Sequence, residues 1–216
     1  GVALKTLIPK LDGVLFQKNL GSIFAKKERV KMIAQWLNKK TGNQVSDKLI
    51  KDGADYCKSD LVSQMVFEFP SLQGQVGQLV GQIQKLDPAI TTAIRSHYLP
   101  HHYEDDCPKD ILGSLLAVAD RLDTIVCCFE NKLIPTGSQD PWGVRRAILG
   151  IIAIIQRGKL NFNFLDAIDQ TYTVLKKTLD KPATHKDQLI EFIKQRIKGL
   201  YTDQVPYDIV DAILDH

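Results

Sequence analysis

A chain of 216 residues, 44% hydrophobic and 25% charged, suffices for one domain with a sizeable core, or one plus a piece of a second. No apolar run reaches the roughly 18 residues of a membrane span; no signal peptide is visible, and the opening GVALKTLIPKLDG, which lacks a Met, reads as that of an excised piece. The net charge of +3 is uneven: residues 1–58 hold 12 Lys+Arg against 5 Asp+Glu, a net of +7, and the remainder carries −4. Such a basic segment suits a polyanion such as RNA, and equally a solvated lysine-rich surface.

Taken in order, the pattern is almost entirely helical. Residues 1–20 read as a short helix and a turn. Gly21-Ser22 offers an N-cap for a helix from about Ile23 to Lys40, whose Val30, Ile33, Ala34 and Leu37 fall at core-facing steps. Gly42 suits its left-handed stop. Ser46 caps a helix expected from Asp47 to about Phe67, which Glu68-Phe69-Pro70 interrupts. A helix over Ser71–Lys85 is weakened by Gly74, Gly77 and Gly81, a spacing that suggests close backbone contact with a neighbour. A helix from Asp87-Pro88 to Tyr98 ends at Pro100, and HHYEDDCPKD (101–110) is a polar loop.

The stretch Gly113–Ile155 organises the chain: two apolar helical segments flank a loop rich in Pro, Thr, Gly, Ser and Asp. Beyond it, helices are expected over about Asn163–Leu179, Lys186–Leu200 and Pro206–Leu214, with Lys181-Pro182 as a linker. The last pair is too short to close a core and reads as the edge of a second domain. Cys57, Cys107, Cys127 and Cys128 show no zinc spacing and read as reduced thiols in a reducing compartment.

Asp120 and Asp123 sit three apart on a greasy helix, which is costly unless they are paired or metal-bound. Pairing with Arg121, Arg145 or Arg146 is the structural reading; a hard cation is the chemical one. Arg145 and Arg146 open a helix against its dipole, so each needs a carboxylate or a phosphate. His97, His101 and His102 near Glu104, Asp105 and Asp106 look like metal ligands, but loops collect such residues anyway. Trp36 and Trp142 are core-sized; Trp36 reads as packing. No glycine-rich phosphate loop, nucleophile elbow or zinc-protease motif is present.

KSDLVSQMVFEFPSLQG (58–74), HYLP (97–100), LAVADRLDTIV (116–126) and PTGSQDPWGVRRAILGII (135–152) together resemble the β subunit of bacterial-type glycyl-tRNA synthetase. FQKNLGS (16–22) and LIEFIKQRIKGL…YDIVDAIL (189–214) extend the likeness over nearly the whole chain. It departs at Ala25 and within Ser71–Leu79. The resemblance implies an all-α fold: a truncated lead-in (1–20), an HD-type helical domain (21–180) and the first helices of an anticodon-binding region (184–216). It implies a cytoplasmic α/β heterotetramer in which the α subunit aminoacylates tRNA(Gly) with ATP and Mg. This chain would hold no cofactor, no metal and no catalytic residue of its own. HD phosphohydrolases ligate metal through a His, a His-Asp pair and a later Asp. Here Lys26 falls at the first His, Ser59-Asp60 at the pair and Asp120 at the last Asp. Serine and lysine do not replace imidazole as ligands, so the site reads as degenerate, with Asp60 and Asp120 facing Lys26, Arg29 or Arg121. Lys26, Lys27, Arg29 and Lys31, then Arg145 and Arg146, are the expected tRNA phosphate contacts, with Lys26 and Arg29 also candidates for the internal network. The alternatives are a metal-dependent HD-type phosphohydrolase and a structural spacer.

Overall fold

A computed structural model describes residues 2–136, 139–158, 160–180 and 182–201. The expected helix at Pro206–Leu214 lies outside the described residues, as does Lys181. Short elements come first: helix α1 (Leu4–Leu7), a 3-10 turn (Ile8–Gly13), and an antiparallel pair β1 (Leu15–Gln17) and β2 (Gly21–Ser22). This small sheet is not expected from the sequence; its three- and two-residue strands are too short to show alternation. Left-handed Asn19 and Gly21 turn the chain between them.

Helix α2 (Ile23–Lys40) starts where Ser22 accepts the Ala25 amide, and Gly42 adopts φ 94° just past its end. Helix α3 (Asp47–Tyr56) is capped by Ser46 but stops eleven residues short of the expected Phe67. A 3-10 turn (Ser59–Val62) and helix α4 (Gln64–Glu68) fill that span. The serines explain the break. Ser59 Oγ donates to the Tyr56 carbonyl and Ser63 Oγ to the Asp60 carbonyl, and Ser63 then accepts from the Val66 amide. Local side-chain bonds of this kind compete with a continuous helix.

Helix α5 (Gln75–Ile83) lies against α6 (Pro88–Ser96). The glycine spacing finds its reason here: a Cβ at Gly77 would meet Ile94 Cγ2 at 2.6 Å, and one at Gly81 would meet Thr91 Cγ2 at 2.9 Å. Helix α7 (Ile111–Glu130), capped by Asp110, is apolar nearly all round and runs through the core. It packs on α2, α6, α8 (Val144–Arg157) and α9 (Phe164–Leu179). Leu115, Leu116, Leu122, Ile125 and Phe129 are fully buried, each such side chain stabilising by about 1.5–3 kcal/mol. Helix α10 (Lys186–Tyr201) joins the same core through Leu189 and Ile193, with Phe192 edge-on to Phe129 at 5.4 Å. As far as Tyr201, the segment expected to begin a separate region is therefore packed on the main body. No helix among the described residues is long and apolar enough to cross a membrane.

Candidate functional site

Helices α2 and α7 face each other and bring opposite charges together in the core. Lys26 Nζ donates to Asp123 Oδ2 at 3.1 Å and to Thr124 Oγ1 at 2.8 Å. It also approaches Asp120 Oδ1 at 3.2 Å, off the hydrogen-bonding direction, so that contact is coulombic. Lys58, on the turn after α3, donates to Asp120 Oδ2 at 3.0 Å and lies 4.2 Å over the Tyr98 ring. Arg29 grips Asp123 with two bonds, Nε to Oδ1 at 2.5 Å and Nη2 to Oδ2 at 3.1 Å, and gives Nη1 to the Leu20 carbonyl. Burial opposes charge on Asp120, but Lys26 and Lys58 hold its carboxyl well below the usual range. Burial also opposes charge on Lys26, and Asp120 and Asp123 more than reverse it, raising its pKa.

Several expectations change. Asp120 and Asp123 pair with Lys26, Lys58 and Arg29, not with Arg121, Arg145 or Arg146. Asp60 does not bond to Lys26, Arg29 or Arg121. Its Oδ2 accepts the Gly74 and Gly77 amides at 2.6 and 3.0 Å, tying the 3-10 turn to the start of α5. Burial raises its pKa despite those amides. Ser59 is spent on a backbone carbonyl. Lys58 was missed as a site residue. The signal available was an unbalanced pair of carboxylates on α7 with a lysine directly before the Ser59-Asp60 pair.

Of the basic residues on α2, Lys26, Lys27 and Arg29 are buried and engaged inside the protein. Lys27 and Lys31 share Asp55, each at 2.7 Å, and both meet Glu28. These charges neutralise carboxylates rather than facing solvent. Arg145 and Arg146 differ. Asp140 supplies the anion at their helix start, its carboxylate accepting the amides of Val144, Arg145 and Arg146 at 2.7, 3.0 and 3.4 Å. Among the described residues the Arg145 side chain reaches the Gln139 carbonyl alone. Exposed Arg146 has no ion-pair partner among the described residues and lies beside Gly143.

Arg121 turns to the backbone. It donates to the carbonyls of His97, Ala117, Tyr98 and Pro100 at 3.2, 3.0, 3.0 and 2.7 Å. A Cβ on Gly150 of α8 would sit 2.6 Å from its Nε, so that glycine leaves it room. Burial lowers its pKa to about 10. His97 is no loop ligand: it caps α6, is fully buried, and faces the Ala93 carbonyl through Nδ1 at 3.1 Å. Burial, with Lys58 nearby, depresses its pKa to about 3, so the ring is neutral. His101 and His102 lie on the following loop, where Asp105 accepts the His102 amide and Glu104 pairs with Arg157.

A cavity of about 290 Å³ opens beside this cluster. His97, Tyr98 and Pro100 form one side, Asp120, Arg121 and Thr124 another, and Trp142, Gly143 and Arg146 the third. HYLP, LAVADRLDTIV and PTGSQDPWGVRRAILGII, three stretches distant in sequence, thus meet at one recess. Among the described residues no group of three or more His, Cys, Asp or Glu side chains is placed to hold a metal.

Fold and site together define a mostly helical protein whose central carboxylates are held by ammonium and guanidinium groups beside a polar recess. The profile of the glycyl-tRNA synthetase beta subunit matches residues 2–215, and the chain belongs to that family. It is 38% identical to the glycine–tRNA ligase beta subunit of Acaryochloris marina over 214 residues, 98% of this chain and 30% of that one. Against the corresponding subunit of Geotalea uraniireducens it is 36% identical over 215 residues, 99% of this chain and 31% of that one. The Halalkalibacterium halodurans subunit is 38% identical over 210 residues, 95% and 30%. The chain thus spans about 30% of the length of these curated relatives.

Proposed function

We propose that this chain is a degenerate HD-type helical domain that contributes tRNA backbone contacts and scaffolding to a cytoplasmic glycine–tRNA ligase. Aminoacylation, with its ATP and Mg, belongs to the partner α subunit. One observation carries the first half: Asp120 is met by two ammonium groups, Lys26 and Lys58, where a hydrolase needs imidazole and a metal ion. Lys58, not Asp60, reaches Asp120, which favours aligning Lys58-Ser59 with the His-Asp pair, one residue earlier than the sequence pattern gives. Two ammonium groups repel a divalent cation and supply no lone pair to it.

Arg145 and Arg146 are the cations this reading assigns to tRNA phosphates, since Lys26, Lys27 and Arg29 are committed inside. Such contacts position a nucleic acid without reading its sequence. The test uses the assembled α/β enzyme and tRNA(Gly). Arg145→Gln with Arg146→Gln should weaken binding and lower the steepness of its salt dependence by about one unit per lost phosphate contact. An unchanged salt slope counts against the tRNA role. A tightly held metal at Asp120 with phosphate-ester turnover overturns the degenerate site.

A further inference from the structure

Helix α2 divides its cations in two. Lys26, Lys27, Arg29 and Lys31 each meet an aspartate, whereas Lys39 and Lys40, in its last turn, are exposed and have no carboxylate partner among the described residues. This last turn borders a groove of about 360 Å³ where α2 packs on α9. Gln35, Trp36 and Lys39 line it from α2, and Gln170, Thr173 and Lys177 from α9. Among the described residues no carboxylate lines it. Lys177 is exposed and likewise without an ion-pair partner among the described residues. Lys40 Nζ lies 5.4 Å over the ring of half-buried Trp36, a contact that places an ammonium group without neutralising it. A lysine near a helix C-terminus complements the dipole, but each helix end carries only about half a negative charge. Three ammonium groups around a groove without an anion exceed what two helix ends balance.

We propose that the groove between α2 and α9 seats the phosphodiester backbone of RNA. Lys39 and Lys177 meet phosphate oxygens from the two helices, and Lys40 adds a third contact from its place over Trp36. The side-chain amides of Gln35 and Gln170, which make no other hydrogen bond among the described residues, are donors and acceptors for phosphate and ribose oxygens. An ammonium group is a point charge that takes a phosphate from many directions, so this surface positions the strand without reading its sequence. The proposal rests on the RNA-facing reading above and adds to it a second surface, separate from the start of α8 that carries Arg145 and Arg146.

Lysine footprinting of the assembled α/β enzyme tests this directly. Acetylation by an amine-reactive reagent is followed by mass spectrometry with and without saturating tRNA(Gly). Lys39, Lys40 and Lys177 should react several-fold more slowly with tRNA bound, while Lys10 and Lys85, exposed on other elements, keep their rates. Equal rates at the three lysines overturn the proposal. Polyglutamate serves as the competing polyanion: if it protects the three lysines better than tRNA does, the groove takes an acidic protein segment, and the RNA proposal falls. Lys39→Gln with Lys177→Gln should weaken tRNA binding several-fold and lower its salt slope by about two. Lys39→Arg with Lys177→Arg should keep the parent values. A fall in Tm with affinity and slope unchanged assigns the lysines to their helix ends and overturns the proposal. The Arg145 and Arg146 substitutions are measured separately. A slope that responds to the arginines alone removes the groove and leaves the backbone-contact role standing, and one that responds to neither pair removes both.

Discussion

Lys58 Nζ lies 3.0 Å from Asp120 Oδ2, and Lys26 Nζ lies 3.2 Å from the other oxygen of the same carboxylate. A pair of ammonium groups thus brackets one half-buried anion, and the second carboxylate of α7, Asp123, fully buried, takes Arg29 as well as Lys26. The arrangement is asymmetric. Asp120 and Asp123 each keep a cation when Lys26 is removed, whereas among the described residues Arg29 has no other carboxylate when Asp123 is removed.

Stability should follow that asymmetry. Asp123→Ala strands a fully buried guanidinium and should cost about 3–5 kcal/mol. Lys26→Met keeps the packing and leaves both carboxylates paired, so it should cost less, about 1–2 kcal/mol. Urea unfolding of the two variants checks the order; equal losses would mean the charges act as one indivisible network.

The degenerate site makes a constructive prediction. Lys26→His, Lys58→His and Ser59→Asp together place two imidazoles and a carboxylate around Asp120. The triple variant should bind Mn²⁺ or Ni²⁺ stoichiometrically by calorimetry, where the parent takes up neither. Lys26→His with Ser59→His, the pair in the register read from sequence, should not. The reverse result would restore Ser59-Asp60 as the aligned pair.

Acid should destabilise the protein through His97. Its folded pKa is lowered to about 3 from an unfolded value near 6.5. The folded state therefore binds fewer protons, and stability present above pH 6.5 is lost as pH falls toward 3. At pH 5 the loss from this group alone is about 2 kcal/mol. Asp120, held below the usual carboxylate range, adds a loss of the same sign only below about pH 4. His97→Gln should flatten the pH 5–6.5 part of the profile in urea titrations and leave the steeper part beneath it.

Gly77→Ala tests the contact between α5 and α6. Alanine favours a helix by about 1 kcal/mol. Its Cβ would lie 2.6 Å from Ile94 Cγ2 and 3.0 Å from Asp60 Oδ2, and overpacking costs about 1–3 kcal/mol. Added strain in the Asp60 bonds to the Gly74 and Gly77 amides should make the net change a loss, lowering Tm by a few degrees. A rise in Tm would show that the neighbours yield.

Helix starts were legible where a side chain of the right kind preceded an apolar run: Ser22, Ser46, Asp87 and Asn163 all cap as their positions suggest. The break after Tyr56 was not, because Ser59 and Ser63 act through carbonyls three residues away that a periodicity reading does not weigh. The basic character of α2 was plain, but not its direction. Lys26, Lys27 and Arg29 look like surface lysines and arginines until the carboxylates of α3 and α7 are placed against them. Arg121 misled for a related reason: its neighbours in sequence are acids, and its partners in space are backbone carbonyls.

Arg121 also governs how the recess behaves when something enters it. Four carbonyls converge on one planar cation, three of them from the His97–Pro100 segment. That side of the opening is stiff before any guest arrives, so little rotational or torsional freedom remains there to be surrendered on binding. Selectivity then comes from shape already in place, as in a mould, and a lysine at 121, a point charge without the fork, would turn the mould into something softer.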